Sequence, residues 1–272
     1  MVIDKDLVVF LHASLSSKAQ WIPLMQAWQT QAKSKLDTQI VDYLALDLLG
    51  YGSAAPPNQA NFQLSTEVDV VYQQIQAQRP HLEKDAAQVR VHLIGHSYGA
   101  ATALALAARI PEAIASMTLF EPVAFYLLDH DSLPRREVQD LSAILHDQLD
   151  TKPAQAAAHF IDYWNTQGTF ARLPEAQQAY FIRGMTKVCD DFNALFSAST
   201  CAEDLQQLQC PILLMQGQQT PASTQAVMHR LREIFPQAGY AEVDGGHMAP
   251  ITHAHLVNPI VTEFVAAHIR TL

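Results

Sequence analysis

Charge is scarce in this 272-residue chain, and positive charge scarcer still. Charged residues make up 16%, with 17 Lys and Arg against 27 Asp and Glu, for a formal net charge of −10. No basic run extends beyond Arg135-Arg136. A chain this acidic lacks the broad positive surface that nucleic acid or an anionic membrane requires. Cysteine is nearly absent. Cys189, Cys201 and Cys210 are odd in number and lack CxxC spacing, which excludes a disulfide framework and a zinc site. No apolar run approaches the ~18 residues of a membrane span. The opening stretch MVIDKDLVVF carries Asp4 and Asp6 before a short apolar run and does not read as a signal peptide. Internal repeats and low-complexity tracts are lacking too. The expectation is a soluble cytoplasmic protein that works on a small molecule, with neither a nucleic acid nor a membrane as partner, and of undetermined oligomeric state.

What the chain does have is apolar material. Hydrophobic residues reach 49% and mean hydropathy is 0.00, enough for a sizeable core and too much for a disordered chain. Short apolar runs at 7–11, 41–46, 89–94, 114–120, 211–215 and 240–243 read as strands. Helical periods fall between them at 20–33, 65–79, 98–109, 221–235 and 254–270. Strands apolar on both faces, alternating with helices, predict an α/β fold: a doubly wound, mostly parallel sheet of six strands covered on both sides. Residues 122–205 break the rhythm, with several helical periods and no convincing strand. They predict a helical cap inserted into a core formed by 1–121 and 206–272.

The strongest chemical signal is Gly95-His96-Ser97-Tyr98-Gly99-Ala100, between a predicted strand and a predicted helix. A serine on so tight a turn has strained backbone angles and needs small neighbours two residues away on either side. Its Oγ is then exposed at the C-terminal end of the sheet, as a nucleophile must be. A serine nucleophile needs a base within hydrogen-bond reach. Gly246-His247, just after the last predicted strand, offers one. Among twelve histidines His247 stands out only by this position; His92 reads as a strand residue, and His253 and His255, two apart on a helix, are expected to face apart. Backbone N–H donors for a developing oxyanion are expected from Tyr98, the residue after the nucleophile, and from Ser14, in the loop after the first strand.

With these residues in place the chain resembles the α/β-hydrolase superfamily, in its serine esterase-like, capped branch. The resemblance runs from HASLSS with Trp21, through DLLGYGSAAP and GHSYGA, to GGHMAPITHAHLVNPI. It implies Ser97 as nucleophile, His247 as base, an acid that orients the histidine, and no cofactor or metal. Three departures stand out. The family's His-Gly is His12-Ala13 here, which narrows the oxyanion loop. Only about six residues precede the first strand, so the family's first two strands are expected to be missing. The family's usual acid position, after the strand at 211–215, holds Thr220, which cannot carry the charge that stabilises an imidazolium. The acid is therefore assigned to Glu121, one strand along the sheet from Ser97, a position that some members of the superfamily use. Asp244, in the same loop as His247, is the competitor; Asp in Val-Asp-Gly-Gly also reads as a turn residue.

The stretch 122–205 is 31% of the chain but holds ten of its 22 aromatic residues (11 Phe, 8 Tyr, 3 Trp in all). A cap whose inner face lines an apolar pocket over Ser97 accounts for that enrichment. Pocket residues are assigned as His12, Phe125 and Met248. Arg135, Arg136, Arg172 and Arg183 could grip a substrate carboxylate, or be no more than solvated charge. The function expected is hydrolysis of a carboxylic ester, or a related acyl compound, of a small and largely apolar substrate through an acyl-enzyme. The alternatives are a serine-dependent thioester or C–C bond hydrolase and a non-catalytic small-molecule binder on the same scaffold.

Overall fold

The computed structural model describes residues 5–35, 41–57 and 62–270. Residues 1–4, on which the reading of the N-terminus partly rests, lie outside the described residues. Six strands form one sheet: β1 (Asp6–Leu11), β2 (Val41–Leu46), β3 (Val91–His96), β4 (Ile114–Phe120), β5 (Ile212–Gln219) and β6 (Gly239–Gly246). Their order is β2-β1-β3-β4-β5-β6 and every pairing is parallel. Helices connect them. α1 (Ile22–Lys35), α2 (Leu64–Gln78) and α3 (Tyr98–Arg109) precede β4, and α9 (Ala222–Ile234), α10 (Ala249–Thr252) and α11 (Ala254–Ala266) follow β5. Between β4 and β5, among the described residues, there is no strand. The chain there runs through α4 (Leu133–Gln148), α5 (Pro153–Trp164), α6 (Thr169–Arg172), α7 (Glu175–Phe196) and α8 (Ala202–Leu205).

The period-2 alternation of a strand explains the two cores. Leu7, Val9 and Leu11 of β1 point to one face, with Leu93, Met117, Leu119 and Leu214, and pack on α2, α3 and α9. Val8 and Phe10 point to the other, with Ile94, Phe120 and Met215, and meet Leu24 and Trp28 of α1 and Val257, Val261 and Val265 of α11. All six residues of β1 are buried, as a central parallel strand with helices on both faces requires. Each such aliphatic side chain stabilises the fold by roughly 1.5–3 kcal/mol.

Two strands are longer than the apolar runs suggest. β5 continues past Met215 through Gln216, Gln218 and Gln219, and β6 through Asp244 to Gly246. Their last turns pair with each other, Gln219 opposite Gly246, at the solvent-facing edge where polar side chains are tolerated. The apolar pattern is therefore lost where the ladder persists. β3 starts two residues later than expected, since Val89 closes a short 3₁₀ turn at Ala86–Gln88. His253 precedes α11 as its N-cap rather than lying within it, and its ring sits 6.2 Å from that of His255, so the two do not face apart. No group of three or more potential metal ligands occurs among the described residues. Nor is any described helix long and apolar enough to cross a membrane.

Candidate active site

In a parallel sheet the chain leaves every strand at the same edge, so loops from distant parts of the sequence converge there. The loops after β1, β3, β4, β5 and β6 bring together Ser14, Ser97, Glu121, Thr220 and His247. Ser97 sits between β3 and α3 with φ 57° and ψ −120°, a conformation that costs a non-glycine residue of order 1–3 kcal/mol. Its neighbours show why the turn can form. A Cβ on Gly95 would lie 2.5 Å from Ala100 Cα, and one on Gly99 2.3 Å from the Leu11 carbonyl oxygen. The Ser97 N–H donates to Phe120 O at 3.0 Å, which ties the turn to the end of β4.

Glu121 is the next residue along β4. It too has a positive φ, 42°, and is fully buried. Three donors converge on its carboxylate. Gly217 N–H reaches Oε1 at 2.7 Å, Thr220 Oγ1 donates to Oε2 at 2.6 Å, and His247 Nδ1 lies 2.6 Å from Oε2. A carboxylate can only accept, so His247 carries a proton on Nδ1. Its Nε2 then accepts from Ser97 Oγ at 2.8 Å. Thr220, at the family's usual acid position, points its hydroxyl at Glu121 instead. Asp244 lies apart from this array; it accepts from Gln219 Nε2 at 3.3 Å in an exposed setting.

Two neighbours hold the His247 ring and backbone in place. His96 Nε2 donates to the His247 carbonyl at 2.8 Å. Burial, and then the proximity of His247, hold the His96 imidazole well below its ordinary range, so it serves as a neutral strut. Trp164, at the end of α5, lies against the His247 ring with centroids 4.2 Å apart and planes 30° apart. Neither role was legible in the sequence, where Trp164 was one aromatic of ten.

Above Ser97 and His247 opens a cavity of about 730 Å³. Ile161, Trp164, Leu173, Phe181 and Met248 form apolar walls; Ser14, Ser17, Asn165, Gln177 and Thr252 supply neutral polar groups. Among the described residues, no Lys, Arg, Asp or Glu lines it. A second, much smaller pocket of about 20 Å³ also borders Ser97 and shares Ser14, Phe160 and Trp164 with the large one.

Met248 lies in the large cavity as expected, while Phe125 lines only the small pocket. His12 lines neither, which corrects its assignment to the substrate pocket. Its ring is fully buried and turned toward the end of β2, where Nε2 accepts the Leu48 N–H at 3.0 Å and Nδ1 donates to Ala13 O at 2.7 Å. Burial pushes its pKa down to about 4, so it is a neutral loop brace. None of the four arginines lines the cavity. Arg135 is buried and donates to the Phe125 carbonyl.

A cluster missed in the sequence borders Ser14. Asp191 of α7 accepts from Ser14 Oγ at 2.6 Å and from Tyr51 OH at 2.5 Å, and pairs with Lys187 one turn earlier. Lys187 Nζ also lies 3.6 Å from Glu67 of α2 and within 4.4–4.9 Å of the ring centroids of Phe62, Tyr51 and Tyr98. Burial raises the Glu67 pKa to about 7 against the opposing pull of Lys187. A Lys and an Asp four residues apart on the apolar face of a helix were the available signal.

A family model described as alpha/beta hydrolase fold matches residues 6–254. The human serine hydrolase BPHL is 29% identical over 189 residues, covering 68% of this chain and 56% of that protein. The probable lysophospholipase BODYGUARD 1 of Arabidopsis thaliana is 35% identical over 119 residues, 42% of this chain and 22% of that one. The chain thus spans between about a fifth and about half the length of these curated relatives. Among solved structures, the enol-lactonase of Burkholderia xenovorans LB400 aligns with a TM-score of 0.73 at 18% identity, over 97% of this chain and 92% of that one. The carboxylesterase CesB of Bacillus subtilis aligns with a TM-score of 0.65 at 18% identity, over 98% and 85%. At such identities the likeness is one of fold.

Proposed function

The chain belongs to the alpha/beta hydrolase family, and on that premise we propose that it is a serine hydrolase cleaving an uncharged carboxylic ester through an acyl-enzyme. The observation that carries this reading is the unbroken chain of contacts from Ser97 Oγ through His247 to Glu121, at the floor of an apolar cavity. The relatives named as a serine hydrolase and a probable lysophospholipase accord with serine-based acyl chemistry.

In this reading Ser97 Oγ attacks the ester carbonyl carbon and its proton passes to His247 Nε2. The carbonyl π electrons move onto oxygen, which accepts from the backbone N–H groups of Tyr98 and Ser14. Tyr98 opens α3, where the first N–H groups have no partner within the helix and the helix dipole favours negative charge. As the carbonyl re-forms, the carbon–oxygen bond to the alcohol breaks, and His247 Nε2–H protonates the departing oxygen. Water then repeats the sequence on the acyl-enzyme, with His247 taking its proton and returning it to Ser97. Glu121 holds the Nδ1–H tautomer and offsets the imidazolium charge that forms twice per turnover. Residues 122–205 act as a cap that walls this site with Trp164, Phe160 and Phe181, on a core formed by the rest of the chain. No cofactor or metal has a part in these steps.

The test is labelling with a fluorophosphonate, which phosphonylates an activated serine. Wild-type protein should be labelled on Ser97 and Ser97→Ala should not, with kcat lowered by on the order of 10³-fold or more. Phosphonate found on any other serine, or a Ser97→Ala variant with wild-type turnover, overturns the assignment.

A further inference from the structure

The two pockets beside Ser97 differ in volume by more than an order of magnitude, about 730 against about 20 Å³. Acyl transfer dictates which part of the substrate each one takes. Once the oxyanion faces the Tyr98 and Ser14 N–H groups, the acyl substituent and the alcohol leave the reacting carbon in different directions. The alcohol oxygen must receive its proton from His247 Nε2, so the alcohol lies on the His247 side. His247 and the residues that follow it, Met248, Ile251 and Thr252, line the large cavity, and none of them lines the small pocket. The acyl substituent is left with the small one.

That small pocket is shut by Val123, Phe125, Val188, Phe192 and Leu195, all at most 3% exposed. Its rings brace one another. Phe125 stacks on Phe192 at 6.2 Å with planes 8° apart, and Phe160 meets Phe192 edge-on at 6.3 Å. A space of this size holds about one water or one methyl group. Asp191 also reaches the pocket wall, but Ser14, Tyr51 and Lys187 already occupy its carboxylate. Enlarging the pocket would mean displacing interlocked core side chains, which a close-packed interior resists.

We propose that this chain is selective for esters of a very short acyl group, acetyl or little more, with a bulky, uncharged, apolar alcohol. The proposal rests on the acyl-enzyme reading above and adds to it the direction in which substrate lies.

Two isomeric esters separate the directions at constant composition: octyl acetate and methyl nonanoate. The expected result is that wild-type protein hydrolyses octyl acetate with kcat/KM about 10-fold or more above that for methyl nonanoate, since even one methylene without room costs that much. Val188→Ala and Phe192→Ala should each move the ratio of butyrate to acetate hydrolysis upward, measured on p-nitrophenyl esters. Equal or better cleavage of methyl nonanoate overturns the proposal, as does an unchanged ratio in a folded variant. If the core variants do not fold, the wild-type pair of esters still decides. Failure of both esters together with an unlabelled Ser97 overturns the hydrolase reading itself, and this inference with it. A labelled Ser97 with the opposite preference overturns the inference alone.

Discussion

Replacing Glu121 with glutamine keeps the shape of the side chain and removes both its charge and one acceptor. In the native site three donors point at two carboxylate oxygens. Glutamine offers one oxygen and one NH₂. The Gly217 N–H is fixed backbone and claims the oxygen, so the NH₂ faces Thr220 and His247. Thr220 can rotate its hydroxyl and accept. His247 must instead accept at Nδ1, which moves its ring proton to Nε2, where it faces Ser97 and can no longer take the serine proton. The lost charge adds to this. At an effective dielectric of 20, a carboxylate about 4 Å from the imidazolium charge contributes about 4 kcal/mol, or roughly 10³-fold in rate. The expected kcat for Glu121→Gln is therefore on the order of 10³-fold below wild type, within a span of roughly 10²–10⁴. The loss of charge-assisted hydrogen bonds should cost only about 1–3 kcal/mol of stability, so the variant folds. The assay pairs turnover of p-nitrophenyl acetate with a thermal melt. A folded Glu121→Gln protein within about 10-fold of wild-type kcat would refute the reasoning, and loss of turnover in Asp244→Asn instead would identify the other carboxylate.

Thr220 should prove a positioning residue: Thr220→Val removes a donor to Glu121 and is expected to lower kcat about 10-fold with KM unchanged, while Thr220→Ser retains activity. A Val variant with raised KM and unchanged kcat would contradict this. In the double variant Glu121→Gln/Thr220→Asp, the carboxylate returns just after β5 and should recover about 10-fold of the lost kcat; no recovery in a folded protein argues that position 220 cannot serve His247. Glu67 should make stability fall with pH. It keeps its proton to about pH 7 in the folded protein, against an ordinary value of 4.5, so its contribution is full below about 4.5 and fades as pH rises through 7. Lys187, Asp191, Tyr51 and Tyr98 are the ionisable groups packed around it. Relative to wild type, Glu67→Gln should gain up to about 3 kcal/mol in urea unfolding between pH 5 and pH 8; parallel pH profiles would rule that out.

How far the sequence could be read varied with the kind of signal. All six strands coincide with short apolar runs, and a strand buried on both faces, such as β1, leaves the clearest compositional mark. The placement of Glu121 followed from a deficit: Thr220 stands where a carboxylate was needed, and the next strand end supplied one. His12 was misplaced because a loop histidine beside the nucleophile reads the same whether it faces the cavity or braces Leu48. Asp191, Lys187 and Glu67 stayed hidden because their partnership spans more than a hundred residues of sequence and leaves no local pattern beyond a Lys and an Asp one turn apart. The two pockets could not be foreseen either; their volumes depend on how α5 and α7 pack, and aromatic content alone does not set that.

The want of fixed charge around the large cavity also bears on how a reaction ends. The substrate proposed here is neutral, but hydrolysis releases a carboxylic acid that ionises as it leaves. The new anion finds no lysine or arginine among the described cavity walls to hold it. Close by lie the carboxylates of Glu121 and Asp191, within a chain whose net charge is −10. On the proposed reading, turnover converts a neutral molecule into an anion that neither pocket, among the described residues, has a lysine or arginine to hold, and the acid should depart without lingering as an inhibitor.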